Sequence, residues 1–220
     1  MLFPGLLFRG DRDAGASRQV RELWHTGYLR TNLVDGNAIL SQPLVNLVRQ
    51  HVDPGWRTTH FLSFSEDRAR AEDFAKGVGN EMRMLEALPD DAIQWDTAIF
   101  RLDTSRFLGE ATRQVRPGIW LTAFEERPLQ HSTNFFHRLA AVIASTNRGG
   151  APVRILLIDV LTALTADSSM AHDHVAIAKA QRDHEWLVLP VDPFPDDPSQ
   201  FTCVLSGSCL DRREKFRIVP

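Results

Sequence analysis

The chain has 220 residues, 43% of them hydrophobic and 24% charged, with a formal net charge of −3; this suits one domain, since a single core stays efficient up to roughly 250–300 residues. That balance excludes a general attraction to nucleic acid, because the clusters Arg12/Arg18/Arg21 and Arg212/Arg213/Lys215 are diluted by acids and read as solvated faces. No apolar run approaches the roughly 18–20 residues that cross a bilayer, Met1 to Phe8 is not expected to be a signal peptide, and Cys203 and Cys209 are too few for a disulfide framework or zinc site, reading as free thiols or a pair across a hairpin.

In chain order, Leu6 to Arg9 predicts a short apolar strand stopped by a Gly10-Asp11 turn signal. Residues 17–24 predict a helix, with Val20, Leu23 and Trp24 at helical spacing and Gly27 as its stop. Pro43 opens a second helix whose face carries Leu44, Leu47 and Val48, ending near Asp53-Pro54-Gly55. Residues 61–65 predict a strand, with Ser65 as N-cap of a helix over 66–76 whose Ala71, Phe74 and Ala75 face inward. Strands are expected over 98–102 and 119–124, and a helix over 134–144. The segment 153–158 is strand or buried helix, 172–181 a helix and 185–189 a strand. Four prolines between 190 and 198 form a loop before two last strands near 201–205 and 216–219. Early helices among strands, then mainly strands, give a mixed α+β class; the alternation is too irregular for a doubly wound parallel sheet.

Three pieces carry chemistry. In Leu6-Leu7-Phe8-Arg9-Gly10-Asp11, the Arg9 guanidinium can fork two donors onto phosphate oxygens, and Gly10 lets a pyrophosphate come close. The plainer reading pairs Arg9 with Asp11 or Asp13. The second piece, Thr59-His60-Phe61-Leu62-Ser63-Phe64-Ser65-Glu66-Asp67, puts two hydroxyls at a strand entering a helix. A strand with a cap accounts for Ser65 but poorly for Ser63. The third, Asp183-His184-Glu185, opens the run Trp186-Leu187-Val188-Leu189, where strand alternation would put both carboxylates on one side. Two surface acids before a strand would look the same.

Arg, then Ser, then Glu, in that order and context, resembles the ADP-ribosyltransferase superfamily of bacterial toxin or effector type, from about Leu6 to Pro190. The resemblance implies an ADP-ribosyltransferase-like α+β fold with a split central β-sheet and N-terminal helices, residues 1–220 forming one catalytic domain. It implies NAD as substrate, cleaved at the nicotinamide–ribose bond, with ADP-ribose passed to a macromolecular acceptor. By that resemblance Glu185 stabilises the oxocarbenium-like centre, Ser63 braces Glu185, and Asp183 orients or deprotonates the acceptor. The same resemblance implies that Arg9, Gly10, Ser63, Ser65 and His51 line the NAD site. His51 is similar to a histidine in members like cholera toxin and the pierisins, implying contact with the adenosine side. Two positions depart from the pattern: Phe64 stands where Thr is usual, and Asp183 where Glu or Gln is usual.

The expected partners are NAD, an acceptor (protein favoured over nucleic acid by the net charge) and an inhibitory immunity protein or antitoxin, with no membrane. The place of action is the cytoplasm, or a target cell reached by a route this chain does not encode. The same Arg, Ser and Glu would serve NAD hydrolysis, and the two departures also suit an inactive NAD-binding module. No metal is expected: His172 and His174 stand two apart on a helix and share no face. Phosphate-loop and Gly-x-Gly-x-x-Gly motifs are absent. The Trp residues read as core or rim packing, Phe74 as core or nicotinamide pocket, and residues 113–130 as loops that select the acceptor.

Overall fold

A computed structural model describes residues 3–12, 28–30, 43–52, 61–76, 97–124, 153–190, 204–206 and 212–216. The helices expected over 17–24 and 134–144, the Pro-rich loop and both cysteines lie outside these residues. In chain order the elements are β1 (Leu6–Arg12), β2 (Tyr28–Arg30), α1 (Leu44–Val52), β3 (Leu62–Ser65), α2 (Arg68–Lys76), β4 (Thr97–Asp103), β5 (Arg113–Arg116), β6 (Ile119–Phe124) and β7 (Val153–Asp159). They continue with α3 (Val160–Ala166), α4 (His174–Asp183), β8 (Glu185–Pro190), β9 (Val204–Ser206) and β10 (Arg212–Phe216).

Among the described residues, eight strands form one antiparallel sheet in the order β10-β4-β1-β3-β8-β7-β6-β5, while β2 and β9 pair separately. The class is mixed α+β, as expected. In place of the split sheet expected, the eight strands are hydrogen-bonded in one continuous order, with one thin junction. β1 and β3 share a single register pair, Phe8↔Ser65, whereas β1 pairs with β4 along its whole length from Leu6↔Asp103 to Arg12↔Thr97. The sheet is therefore continuous in connectivity but joined at a one-pair seam.

Alternation along the strands sends side chains to two cores. Trp186 and Val188 of β8 join Leu62, Phe64 and Leu7 in one cluster, where Trp120 stacks on Trp186 with ring centroids 5.8 Å apart. Leu187 and Leu189 point the other way, to a cluster covered by α1, α3 and α4 through Val48, Leu164 and Ala180. Phe64 is 2% exposed; this accounts for an aromatic at that position.

Several expectations shift. The Gly10-Asp11 turn signal is overridden, because β4 supplies ladder partners out to Arg12. α2 starts at Arg68, not 66, since the Asp67 carboxylate accepts the Ala69 amide and Ser65 Oγ accepts the Asp67 amide. Residues 153–158 are strand, and a following helix that the sequence reading missed, α3, is capped by Asp159 accepting the Thr162 amide. Residues 119–124 are a strand, as expected, while 113–116, expected within an acceptor-selecting loop, pair with it in the β5–β6 hairpin, turning at Gly118 with φ +71°. The last described strand is Arg212–Phe216, starting four residues before the strand expected near 216–219, of which 217–219 lie outside the described residues. At one edge of the described sheet, β5 carries the exposed Arg113 and Arg116, a common guard against edge-to-edge pairing.

Candidate active site

β3 and β8 are antiparallel neighbours with Ser65 opposite Glu185 and Ser63 opposite Leu187. Residues 63, 65, 185 and 187 therefore share a face, and Ser63 and Glu185 are diagonal neighbours on it, within reach of a long side chain. Ser63 Oγ donates to Glu185 Oε1 at 2.6 Å. His51, in the last turn of α1, places Nε2 3.1 Å from the same oxygen. These side chains are largely enclosed, His51 10% and Glu185 13% exposed. Glu185 Oε1 thus has two partners, whereas Oε2 has none among the described residues.

Arg9 reaches this site from across the seam. Its Nη1 donates to the Ser63 carbonyl oxygen at 3.0 Å, where the β1–β3 ladder has already opened beyond Phe8↔Ser65. His51, Ser63 and Glu185 therefore form one side-chain cluster, while Arg9, which the Phe8↔Ser65 pair places on the other face of the sheet, touches it through the Ser63 backbone at the β1–β3 seam. His51 was expected on the adenosine side of NAD; its observed partner is Glu185, with the Phe61 ring edge-on at 5.8 Å.

The other three expected residues stand differently. A Cβ built on Gly10 would lie 1.6 Å from the Ala71 carbonyl oxygen of α2. The close approach that Gly10 permits is that of a helix backbone, so its occurrence needs no pyrophosphate. Ser65 is buried and donates to the Asp183 carbonyl oxygen at 2.7 Å; its hydroxyl ties β3 to the end of α4.

Asp183 does not share a strand face with Glu185. It is the last residue of α4, and His184 follows as a left-handed cap with φ 47°, so strand alternation starts only at Glu185. The Asp183 carboxylate is bound by two guanidinium groups: Arg182 Nε and Nη2 donate to Oδ1 and Oδ2, each at 2.9 Å, and Arg70 Nη2 also donates to Oδ1. Burial raises its pKa, but the hydrogen bonds and positive charge of Arg182 and Arg70 outweigh this and hold it below the usual carboxylate range. The residue is thereby a weaker base.

Sequence reasoning missed Arg70, Arg182 and Glu66 as parts of this neighbourhood. Trp186 Nε1 donates to Glu66 Oε1 at 2.6 Å, and the Glu66 amide donates to the His184 carbonyl oxygen at 3.2 Å. Only the adjacency of Arg182 to Asp183 offered a signal. At the far end of α4, the N-cap Asp173 accepts the Ala176 amide at 3.1 Å and Arg49 Nε of α1 at 2.6 Å. These bonds lower the Asp173 pKa, with burial opposing them, and link α4 to the helix that carries His51.

Among the described residues no group of three or more His, Cys, Asp or Glu could hold a metal ion, and no helix is long and apolar enough to cross a membrane. Comparison with protein-family models, curated proteins and solved structures finds no match to this chain.

Proposed function

We propose that the chain is an ADP-ribosyltransferase that consumes NAD. The observation carrying this reading is the Ser63 Oγ–Glu185 Oε1 bond of 2.6 Å, with His51 on the same oxygen. A carboxylate fixed through one oxygen keeps the other for a ribose hydroxyl and for positive charge developing at the adjacent carbon as nicotinamide departs. Such fixed charge needs little reorganisation during the reaction. Arg9, at the seam beside Ser63, is suited to a phosphate of the dinucleotide. In this reading ADP-ribose passes to a macromolecular acceptor, a protein rather than nucleic acid at net charge −3. A toxin or effector role follows from the family resemblance and implies an immunity protein or antitoxin as partner.

A second reading, NAD hydrolysis with water as acceptor, is favoured by one observation. Asp183, the residue expected to address the acceptor, has both carboxylate oxygens occupied by arginines.

The test is nicotinamide release from NAD by the purified chain, comparing wild type with Glu185→Gln. The substitution keeps the shape and removes the charge. Release should fall at least about a hundredfold, roughly 2.7 kcal/mol of barrier; equal release by the two proteins would remove Glu185 from the chemistry. A labelled macromolecule separates transfer from hydrolysis.

A further inference from the structure

The turn that launches Glu185 is built in an unusual way. His184 is the one non-glycine residue with positive φ among those described, at 47°. A left-handed conformation is costly for a non-glycine residue and persists where its surroundings over-determine it. Here the surroundings come from the β3–α2 corner. Ser65 Oγ holds the carbonyl before the turn, the Glu66 amide holds the carbonyl of His184, and the Glu66 carboxylate takes the indole N–H of Trp186. Arg70, in the first turn of α2, joins this corner to the Asp183 carboxylate while also bonding Asp73 Oδ2 at 3.1 Å and lying 6.0 Å over the Phe74 ring. Asp183 is 8% exposed, and three guanidinium N–H groups bond to its carboxylate, two on Oδ1 and one on Oδ2.

We propose that Asp183 is a positioning residue: clamped between Arg70 and Arg182, it fixes the left-handed turn at His184 and so sets where Glu185 meets Ser63 and His51, instead of addressing an acceptor. The catalytic part of this inference rests on the reading of the site as NAD-consuming; the clamp itself does not. An acceptor-directed carboxylate needs an oxygen open to its substrate. Both oxygens of this one already accept guanidinium N–H groups, and its neighbour on the Glu185 side is a constrained turn. Arg70 is then a positioning residue in the same sense, acting through Asp183.

The test uses the full chain as wild type, Asp183→Asn, Arg70→Met, Arg70→Lys and the Asp183→Asn/Arg70→Met double variant. The first readout is hydrogen exchange of the Glu66 amide, whose partner is the His184 carbonyl across the clamp. Asp183→Asn and Arg70→Met should each speed it about tenfold relative to the amides of β7, Arg70→Lys should restore most of the protection, and the double variant should be no faster than the faster single one. The β7 amides separate this local opening from global unfolding; if Asp183→Asn unfolds the chain, Arg70→Met carries the comparison. The second readout is nicotinamide release without acceptor, where both single variants should lower kcat about tenfold and leave KM within about twofold. Unchanged Glu66 exchange in Asp183→Asn overturns the clamp. Loss of transfer to an added acceptor with release into water retained overturns the positioning role in favour of an acceptor-directed one. Absence of nicotinamide release from wild type instead defeats the NAD reading, and the exchange data alone then decide whether the clamp exists.

Discussion

Gly10→Ala should destabilise the protein far more than replacing a strand glycine ordinarily would. The new Cβ would lie 1.6 Å from the Ala71 carbonyl oxygen, 2.6 Å from the Ala71 carbonyl carbon and 2.9 Å from the Ala75 nitrogen. Ordinary contact begins at 3.4 Å, so α2 would have to retreat by about 1.8 Å from β1. All three obstacles are backbone atoms, and no side-chain rotation can relieve them. Ala71 and Ala75 are 1% and 0% exposed, so the retreat opens a slot along their contact with the sheet. A gap of even 0.5–1 Å forfeits about a quarter to a half of each dispersion well. Overpacking costs about 1–3 kcal/mol where side chains yield; a backbone obstacle places this substitution at about 3 kcal/mol or above. For a chain of this length that is a fall in melting temperature of about 6–12 °C. Urea unfolding of Gly10→Ala beside Gly5→Ala provides the assay, since a Cβ at Gly5 meets nothing within 4 Å and should change stability by less than about 0.5 kcal/mol. A Gly10→Ala protein within about 1 kcal/mol of wild type would refute the close approach of α2 and reopen Gly10 as a position kept for a ligand.

Ser63→Ala should leave the fold intact and lower nicotinamide release about 30-fold through kcat, since a hydrogen bond to a charged group is worth about 2 kcal/mol; a change confined to KM would remove Ser63 as the brace of Glu185. The pH dependence of stability should carry the signature of Asp183, whose folded pKa lies below its ordinary 3.8. A depressed carboxylate pKa stabilises the fold above the unfolded value, and that stabilisation is lost as pH falls through the folded value. The stability advantage of wild type over Asp183→Asn should therefore be constant well above the ordinary 3.8 and shrink as pH falls below it; urea titrations showing the same difference on both sides would contradict the Arg70–Asp183–Arg182 arrangement.

Local pattern alone determined the elements whose signals lie within a few residues. The apolar face of Leu44, Leu47 and Val48 gave α1, and the run from Trp186 to Leu189 gave β8. The order Arg9, Ser63, Glu185 was likewise legible, because hydroxyl and carboxylate stood at the ends of apolar runs, where strands deliver side chains to a rim. Tertiary structure decided what each of those residues touches. Antiparallel register put Ser63 diagonally beside Glu185, over a sequence separation of 122. The packing of α1 carried His51 to the same oxygen, 134 residues away. Gly10 and Asp183 mark the limit most clearly. A glycine that admits a helix and one that admits a phosphate look alike in sequence, and a carboxylate bound by Arg70 looks like one open to a substrate. Their meaning lies in neighbours brought together by folding, because steric exclusion and charge pairing act through space, not along the chain.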